Sequence, residues 1–147
     1  MRIGFACLAD TANGHYRVLV PLTELARRGH AVIGPGDASY RAAVTGTPNW
    51  DLMLVHQSAS EENLETVRRL RGAGVAIVWD SDDDIGSIPH TRGTRRTVGG
   101  PRKLKRYHEL SLEMARSAHL VTTTNEQLAN LFRDTGAEQV AVLPNCL

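Results

Sequence analysis

Four carboxylates crowd one short stretch of the sequence, at Asp80, Asp82, Asp83 and Asp84. Carboxylates this close repel one another and raise each other's pKa unless cations or N–H donors relieve them. Such a cluster can supply a general base, bind sugar hydroxyls or hold Mg²⁺. We assign Asp80 and Asp82 as candidate catalytic residues and Asp83 as a substrate ligand. Mg²⁺ at Asp80–Asp84 is the one cofactor that the pattern suggests, and a solvated loop with a capping aspartate is the plain alternative.

A second polar segment, A-D-T-A-N-G-H-Y-R, covers residues 9–17 and leads into a helical pattern. Free N–H groups at the start of a helix suit a phosphate or another anion, and the Arg17 guanidinium can add a charged fork. Gly14, His15 and Arg17 are therefore candidate substrate-binding residues, although a plain strand-to-helix turn explains the segment equally well. The dinucleotide motif G-x-G-x-x-G is absent, which argues against a nicotinamide cofactor site.

His56 ends a third predicted strand and Gln57 follows it, at a position where an imidazole or an amide can bind a sugar hydroxyl or a phosphate. We assign both as candidate substrate-binding residues. The six histidines of the chain show no metal-ligand spacing, so no metal ligand is assigned. A structural role is the more common one for an isolated histidine, and it stays open here.

Short apolar runs rich in β-forming residues predict six strands, and several lack alternation, which is typical of strands covered on both faces. The runs are Ile3–Leu8, Ala31–Ile33, Leu52–His56, Val75–Trp79, Leu120–Thr123 and Val140–Leu143. Helical patterns alternate with them, as in α/β folds. We predict one Rossmann-like three-layer domain over residues 1–147, with a parallel sheet of about six strands and helices on both faces. Ligands bind beyond the carboxyl ends of such strands, where the candidate residues lie.

Pro21 conflicts with the first helical pattern, because a proline inside a helix costs about 3 kcal/mol. We expect this helix to start near Tyr16 or Arg17, which places Pro21 close to its first turn, or to kink at the proline. Residues 85–100 contain Gly, Pro, Thr and Arg without an apolar period. They are predicted to form a long loop.

The composition is that of an ordinary globular domain, with 41% hydrophobic residues, 22% charged residues and a formal net charge of +1. Cys7 and Cys146 do not suggest a disulfide framework, which favours a reducing compartment. No stretch approaches the ~20 apolar residues of a spanning helix, and the N-terminus is not typical of a signal peptide. We expect a cytoplasmic protein.

Basic residues concentrate in Arg92–Arg106. An anionic acceptor or an anionic lipid surface can bind to such a stretch. Aromatic residues do not interleave with it, except Tyr107 at its end, so nucleic acid is not expected as a partner. A solvated loop and helix face is the simpler interpretation.

Four segments follow one another in an informative order. They are N-G-H-Y-R-V-L-V-P-L-T-E-L-A-R-R-G-H-A-V at Asn13–Val32, V-W-D-S-D-D-D at Val78–Asp84, A-H-L-V-T-T-T-N-E-Q-L at Ala118–Leu128 and V-L-P-N-C at Val142–Cys146. They resemble four features of the N-terminal domain in GT-B glycosyltransferases of the group 1 (family 4-like) type. In the same order, these are the glycine turn with the first helix, an acidic D-x-D-D motif, the A-D-x-V-x-x-x-S-E-x-L motif and the closing I-P-N-G. Together they span nearly the whole chain.

The resemblance implies transfer of a sugar from a nucleotide-sugar donor to an unidentified acceptor, in a cleft between two Rossmann-like domains. This chain would be the N-terminal, acceptor-side half, and most donor contacts would belong to an absent C-terminal domain. The isolated chain is then expected to be inactive in sugar transfer. Matching the motifs residue by residue brings Gly14, Arg17, Asp80, Asp82, Thr124 and Glu126 to this cleft, which adds the last two to the substrate-binding residues.

Asp80 departs from the pattern, since many relatives carry a histidine there, and Cys146 stands where a glycine is usual. Two other functions compete with sugar transfer. A strand followed by D-x-D also fits a haloacid dehalogenase-like phosphatase that uses Asp80 and Asp82, although its later motifs are not evident. A non-catalytic α/β interaction module is the other alternative, and an exposed cleft face can then favour a homodimer.

Overall fold

Six parallel strands form one sheet in the computed structural model, which describes residues 1–7, 11–88 and 100–145. The strands are β1 (Arg2–Ala6), β2 (Ala31–Ile33), β3 (Leu52–His56), β4 (Ala76–Asp80), β5 (Leu120–Thr123) and β6 (Val140–Val142). Their order across the sheet is β2-β1-β3-β4-β5-β6. The predicted α/β fold class is confirmed. Leu8, Ala9, Asp10, Arg92, Arg95, Arg96 and Cys146, which entered the predictions above, lie outside the described residues.

Helical segments connect the strands. They are α1 (Ala12–Gly14), a π-helical segment (His15–Leu19), α2 (Val20–Arg27), α3 (Ala38–Thr45), α4 (Glu61–Gly72), a 3-10 turn (Ile85–Ser87), α5 (Pro101–Ser117) and α6 (Glu126–Asp134). Neither α3 nor the 3-10 turn was predicted. The long loop predicted over residues 85–100 is therefore wrong at its start, where the chain forms this 3-10 turn.

The first helix begins at Ala12, earlier than the predicted start near Tyr16 or Arg17, so Pro21 lies well inside a continuous helical stretch. The π-helical segment stands directly before α2, and Val20 N–H bonds to His15 O at its end. A proline clashes with the carbonyl four residues earlier in an α-helix. π segments occur as single turns within α-helices. Here the wider turn changes the hydrogen-bond pattern directly before Pro21, where a regular α-helix would bring the proline ring against a carbonyl.

Helices cover both faces of the sheet, as predicted. Met53, Val55, Ile77 and Trp79 belong to a core that is shared with apolar side chains of α3, α4, α5 and α6. On the other face, Ile3 packs with Val18 and Leu22, so the π-helical segment and α2 lie there. Most of the apolar burial is thus on the face of the four later helices.

Close packing at Gly4 of β1 leads to a stability prediction. A Cβ built on Gly4 lies 2.8 Å from two ring atoms of Trp50, which is buried. We expect Gly4→Ala to lower the free energy of unfolding by about 1–3 kcal/mol, because the indole must shift in a packed core. Gly72→Ala in α4 is the control, since a Cβ built there meets nothing within 4 Å. This substitution should raise the free energy of unfolding by about 0.5–1 kcal/mol. Urea unfolding measures both, and a neutral Gly4→Ala would contradict the packing.

Strand register brings distant polar residues together. Across the sheet, His56 of β3 is the partner of Asp80, and Asp80 is the partner of Thr122 in β5. Partners in register point to the same face of the sheet. The chain leaves β1 for β2 on one side and returns to β3 on the other, so the strand order reverses between β1 and β3. A crevice is expected beyond the carboxyl ends of strands at such a switch point.

Candidate functional site

Four polar side chains meet at the carboxyl ends of the central strands. Arg17 Nη2 donates to Asp80 Oδ1 at 2.6 Å, and Arg17 Nε donates to Asp80 Oδ2 at 2.8 Å. Thr122 Oγ1 donates to Oδ1 at 2.5 Å, and His56 Nδ1 lies 2.7 Å from Oδ2. An ionised carboxylate only accepts hydrogen bonds, so His56 Nδ1 carries the hydrogen. We call Arg17, His56, Asp80 and Thr122 the buried quartet.

The quartet settles the charge of Asp80. Burial of this side chain, which is only 5% exposed, opposes ionisation. Hydrogen bonds from Arg17, His56 and Thr122, together with the charge of Arg17, outweigh that effect and hold the pKa of Asp80 below its ordinary value. The sequence predicts that clustered aspartates raise each other's pKa unless cations or N–H donors relieve them, and at Asp80 the Arg17 cation and the neighbouring donors provide that relief.

Arg17 has little capacity left for a ligand. Its Nη1 donates to Leu143 O at 3.0 Å and to Asn145 Oδ1 at 2.9 Å, just after β6. With the two bonds to Asp80, four of its five N–H groups are occupied. In this arrangement Arg17 joins β4 to the segment that follows β6, rather than presenting an open fork to a phosphate.

A more accessible group lies beside the quartet. Gln57 Nε2 donates to Asp82 Oδ1 and, at 3.2 Å, to Asp83 Oδ2. Asp82 is half-buried and Asp83 is exposed. Burial, followed by the charge of Asp83, raises the pKa of Asp82, which confirms the predicted repulsion for this residue. A carboxylate with a raised pKa that is still within reach of solvent is suited to accept a proton. Gln57, Asp82 and Asp83 are called the outer triad below.

Asp84 has a different role from its neighbours. Its Oδ1 accepts from Gly86 N at 3.0 Å and from Ser87 N at 3.3 Å, so it caps the 3-10 turn. The plain alternative, a capping aspartate, is correct for this residue. Among residues 1–7, 11–88 and 100–145, no three His, Cys, Asp or Glu side chains are arranged to hold a metal ion. The Asp80–Asp84 side chains are bonded in three separate groups and do not fit a Mg²⁺ site.

The other predicted site residues lie at the same edge of the sheet with local partners. Gly14 is buried, and its N–H donates to Thr11 Oγ1 at 3.0 Å. His15 is exposed and stacks edge-on against Tyr16. Two further predicted substrate-binding residues follow β5. Thr124 is half-buried, and Glu126 is exposed and pairs with Arg133 at 2.9 Å. Their ligand contacts remain predictions.

Two contributors were missed by sequence reasoning. Thr122 was not singled out, although the register of β4 and β5 places it against Asp80. Tyr107 was noted only as the aromatic residue at the end of the basic stretch, yet its hydroxyl donates to Gln57 O. Thr122 could have been found, because a polar residue near the end of a predicted strand indicates a side chain close to the site. Nothing in the sequence indicates the contact of Tyr107 with Gln57.

The basic stretch is only partly described. Arg102, Lys103 and Lys105 are exposed in α5, and Arg106 pairs with Glu61 of α4. Within the described parts of the chain, no helix is both long and apolar enough to cross a membrane. Binding of an anionic acceptor or a lipid surface to this stretch remains a prediction.

Thr122→Val is expected to lower the free energy of unfolding by about 1.5–3 kcal/mol, because a hydrogen bond to a charged group is lost. Thr123→Val is the matched control. Thr123 Oγ1 is buried and has no partner within the described residues, so removing it should be neutral or stabilising. Urea unfolding of both variants measures the difference, and an equal fall in the free energy of unfolding would contradict the role of Thr122.

Comparisons with known proteins do not indicate a function for this chain. No protein-family model matches the chain, and no curated protein matches its sequence.

Proposed function

We propose that this chain is the acceptor-side domain of a GT-B-type glycosyltransferase, in which the outer triad binds the acceptor hydroxyl. One observation carries the proposal. A charged network that is closed to solvent supports an accessible carboxylate pair just beyond the carboxyl end of β4, at the edge of the parallel sheet where ligands of this fold class bind. The ordered sequence motifs support the same assignment.

The chemistry follows from the two carboxylates nearest the solvent. Asp82 accepts the proton of the acceptor hydroxyl as it attacks the donor sugar, since its raised pKa suits a general base. Asp83 and the Gln57 amide orient the acceptor hydroxyls. Asp80 acts indirectly, by fixing Arg17 and His56 beneath them. The nucleotide-sugar donor is bound mainly by a second domain, as in the family that the sequence resembles.

The geometry does not favour the phosphatase alternative. A nucleophilic aspartate must present a free oxygen to the phosphorus atom. Each oxygen of Asp80 accepts two hydrogen bonds within the quartet, and the residue is 3% exposed. The ion pair with Arg17 would have to open before any attack. Of the two carboxylates in that motif, only Asp82 is within reach of a ligand.

Saturation-transfer NMR on the 147-residue chain tests the proposal, with monosaccharides, disaccharides and inositol as probes. We expect weak binding that Asp83→Asn reduces by about tenfold, because bonds to an ionised group are lost. Asp134→Asn, on the exposed end of α6, is the control and should bind like the parent chain. Absence of binding by every probe would overturn the proposal, and sugar transfer by this chain alone would contradict the division of labour between two domains.

A further inference from the structure

Gln57 adopts an unusual backbone conformation at the end of β3. Its φ is +45°, and it is the one non-glycine residue with a positive φ among the described residues. This left-handed region is unfavourable for a residue with a Cβ, and such strain concentrates at ligand and active sites. A conformation of this kind persists only where the surroundings hold it in place.

Tyr107 of α5 is the side chain that holds this turn. Its hydroxyl donates to Gln57 O, the carbonyl of the residue that has the left-handed backbone. Tyr107 is half-buried, and its ring packs against the main core. Because α5 is fixed to the core, the tyrosine carries that rigidity to the turn.

We propose that Tyr107 is a positioning residue of the candidate site, which fixes the left-handed turn at Gln57 and thereby holds the Gln57 amide against Asp82 and Asp83. The inference rests on the proposed function only in taking Asp82 and Asp83 as ligand-contacting groups. The chain of contacts is continuous, from the Tyr107 hydroxyl to the Gln57 carbonyl and from the Gln57 amide to both carboxylates.

A definite electrostatic consequence follows. Burial and the Asp83 charge raise the pKa of Asp82. The Gln57 amide donates to Asp82 Oδ1, and an N–H donor favours the ionised form of a carboxylate, so this hydrogen bond opposes that rise. His56 and Arg17 act in the same direction as the amide. Loss of Tyr107 frees the turn, withdraws the amide and raises the pKa of Asp82 further. A purely structural tyrosine would leave this titration unchanged.

Side-chain carboxyl ¹³C titration of the full chain tests the inference, with Tyr107→Phe and Gln57→Asn as variants. Gln57→Asn keeps a residue that tolerates the left-handed region but shortens the reach of the amide. Both variants are expected to raise the Asp82 pKa and to weaken binding of the sugar probes by about 2- to 10-fold. Tyr40→Phe is the matched control, because Tyr40 is also half-buried but packs against Trp50. It should leave the titration unchanged.

The outcomes separate the two proposals. If the Asp82 pKa rises in both variants while no form of the chain binds a sugar, the positioning role stands and the proposed function fails. If sugars bind but Tyr107→Phe leaves both the Asp82 pKa and the affinity unchanged, the positioning role is overturned. Should Tyr107→Phe be unfolded, an unchanged Asp82 pKa in Gln57→Asn would overturn it instead.

Discussion

Arg17→Met is expected to lower the free energy of unfolding by about 3–5 kcal/mol, and Asp80→Leu by a similar amount. Each substitution leaves the partner charge buried without its counter-ion, which is far more costly than losing an exposed pair. The side chains of Arg17 and Asp80 are 7% and 5% exposed. The double variant should lose much less than the sum, since replacing a buried ion pair with apolar residues is often near neutral.

A double-mutant cycle in urea measures this coupling. The control is Arg28–Glu24, an i,i+4 pair at 3.0 Å whose side chains are 69% and 44% exposed. The same cycle there should give about 0–1 kcal/mol. Additive losses for Arg17 and Asp80 would show that the two residues do not act as a pair.

The same ion pair sets the response to acid. The pKa of Asp80 is lower in the folded chain than in the unfolded one, where an aspartate titrates near 3.9. Its contribution to stability is therefore complete above about pH 4–5 and is lost as the pH falls through the folded pKa. Asp80→Leu should flatten this acid limb of the unfolding free energy.

Asp82→Asn is expected to raise the free energy of unfolding at pH 7 and to weaken acceptor binding by about 10- to 100-fold. The pKa of Asp82 is raised by burial and by the Asp83 charge, so the folded chain holds this proton more tightly than the unfolded chain. The ionised carboxylate thus costs stability at neutral pH, and this cost disappears as the pH falls below the unfolded pKa. Asparagine carries no charge but keeps an oxygen that can accept the Gln57 N–H.

Urea unfolding at pH 7 and at pH 4 checks the stability half of this prediction, and the gain should shrink at the lower pH. Asp134→Asn is again the control, with no expected change at either pH. Destabilisation by Asp82→Asn at pH 7 would contradict the assignment, because it would show that the carboxylate is structural. A residue that costs stability yet supports binding is typical of functional sites.

The sheet could be predicted from the sequence because its strands are short apolar runs between clear helical patterns. Leu52–His56 and Leu120–Thr123 match the observed strands residue for residue. The expectation that polar residues after these strands converge also followed from parallel topology alone. Helix α3 was missed because Ala38–Thr45 has a weak apolar face. The π-helical segment was missed because Pro21 indicates that the helix must start late or adjust, but not that it adjusts through a π turn at His15–Leu19.

The division of labour among the aspartates could not be predicted. It depends on the reach of Arg17 across the sheet to Asp80, which is set by how the first helix docks and not by any spacing in the sequence. Tyr107 is 50 residues from Gln57 along the chain. Its position at the end of the basic stretch gave no reason to connect the two.

Amide chemical-shift mapping of the chain with the sugar and inositol panel tests the central claim most directly, because it reports where a ligand binds. The account predicts that the perturbed amides gather at Gln57, Asp82, Asp83 and Thr124. Asp82→Asn should abolish the perturbations without altering the rest of the spectrum. Perturbations gathered instead at the depression between the ends of α4 and α5, lined by Arg68, Arg71 and Arg116, would contradict the account.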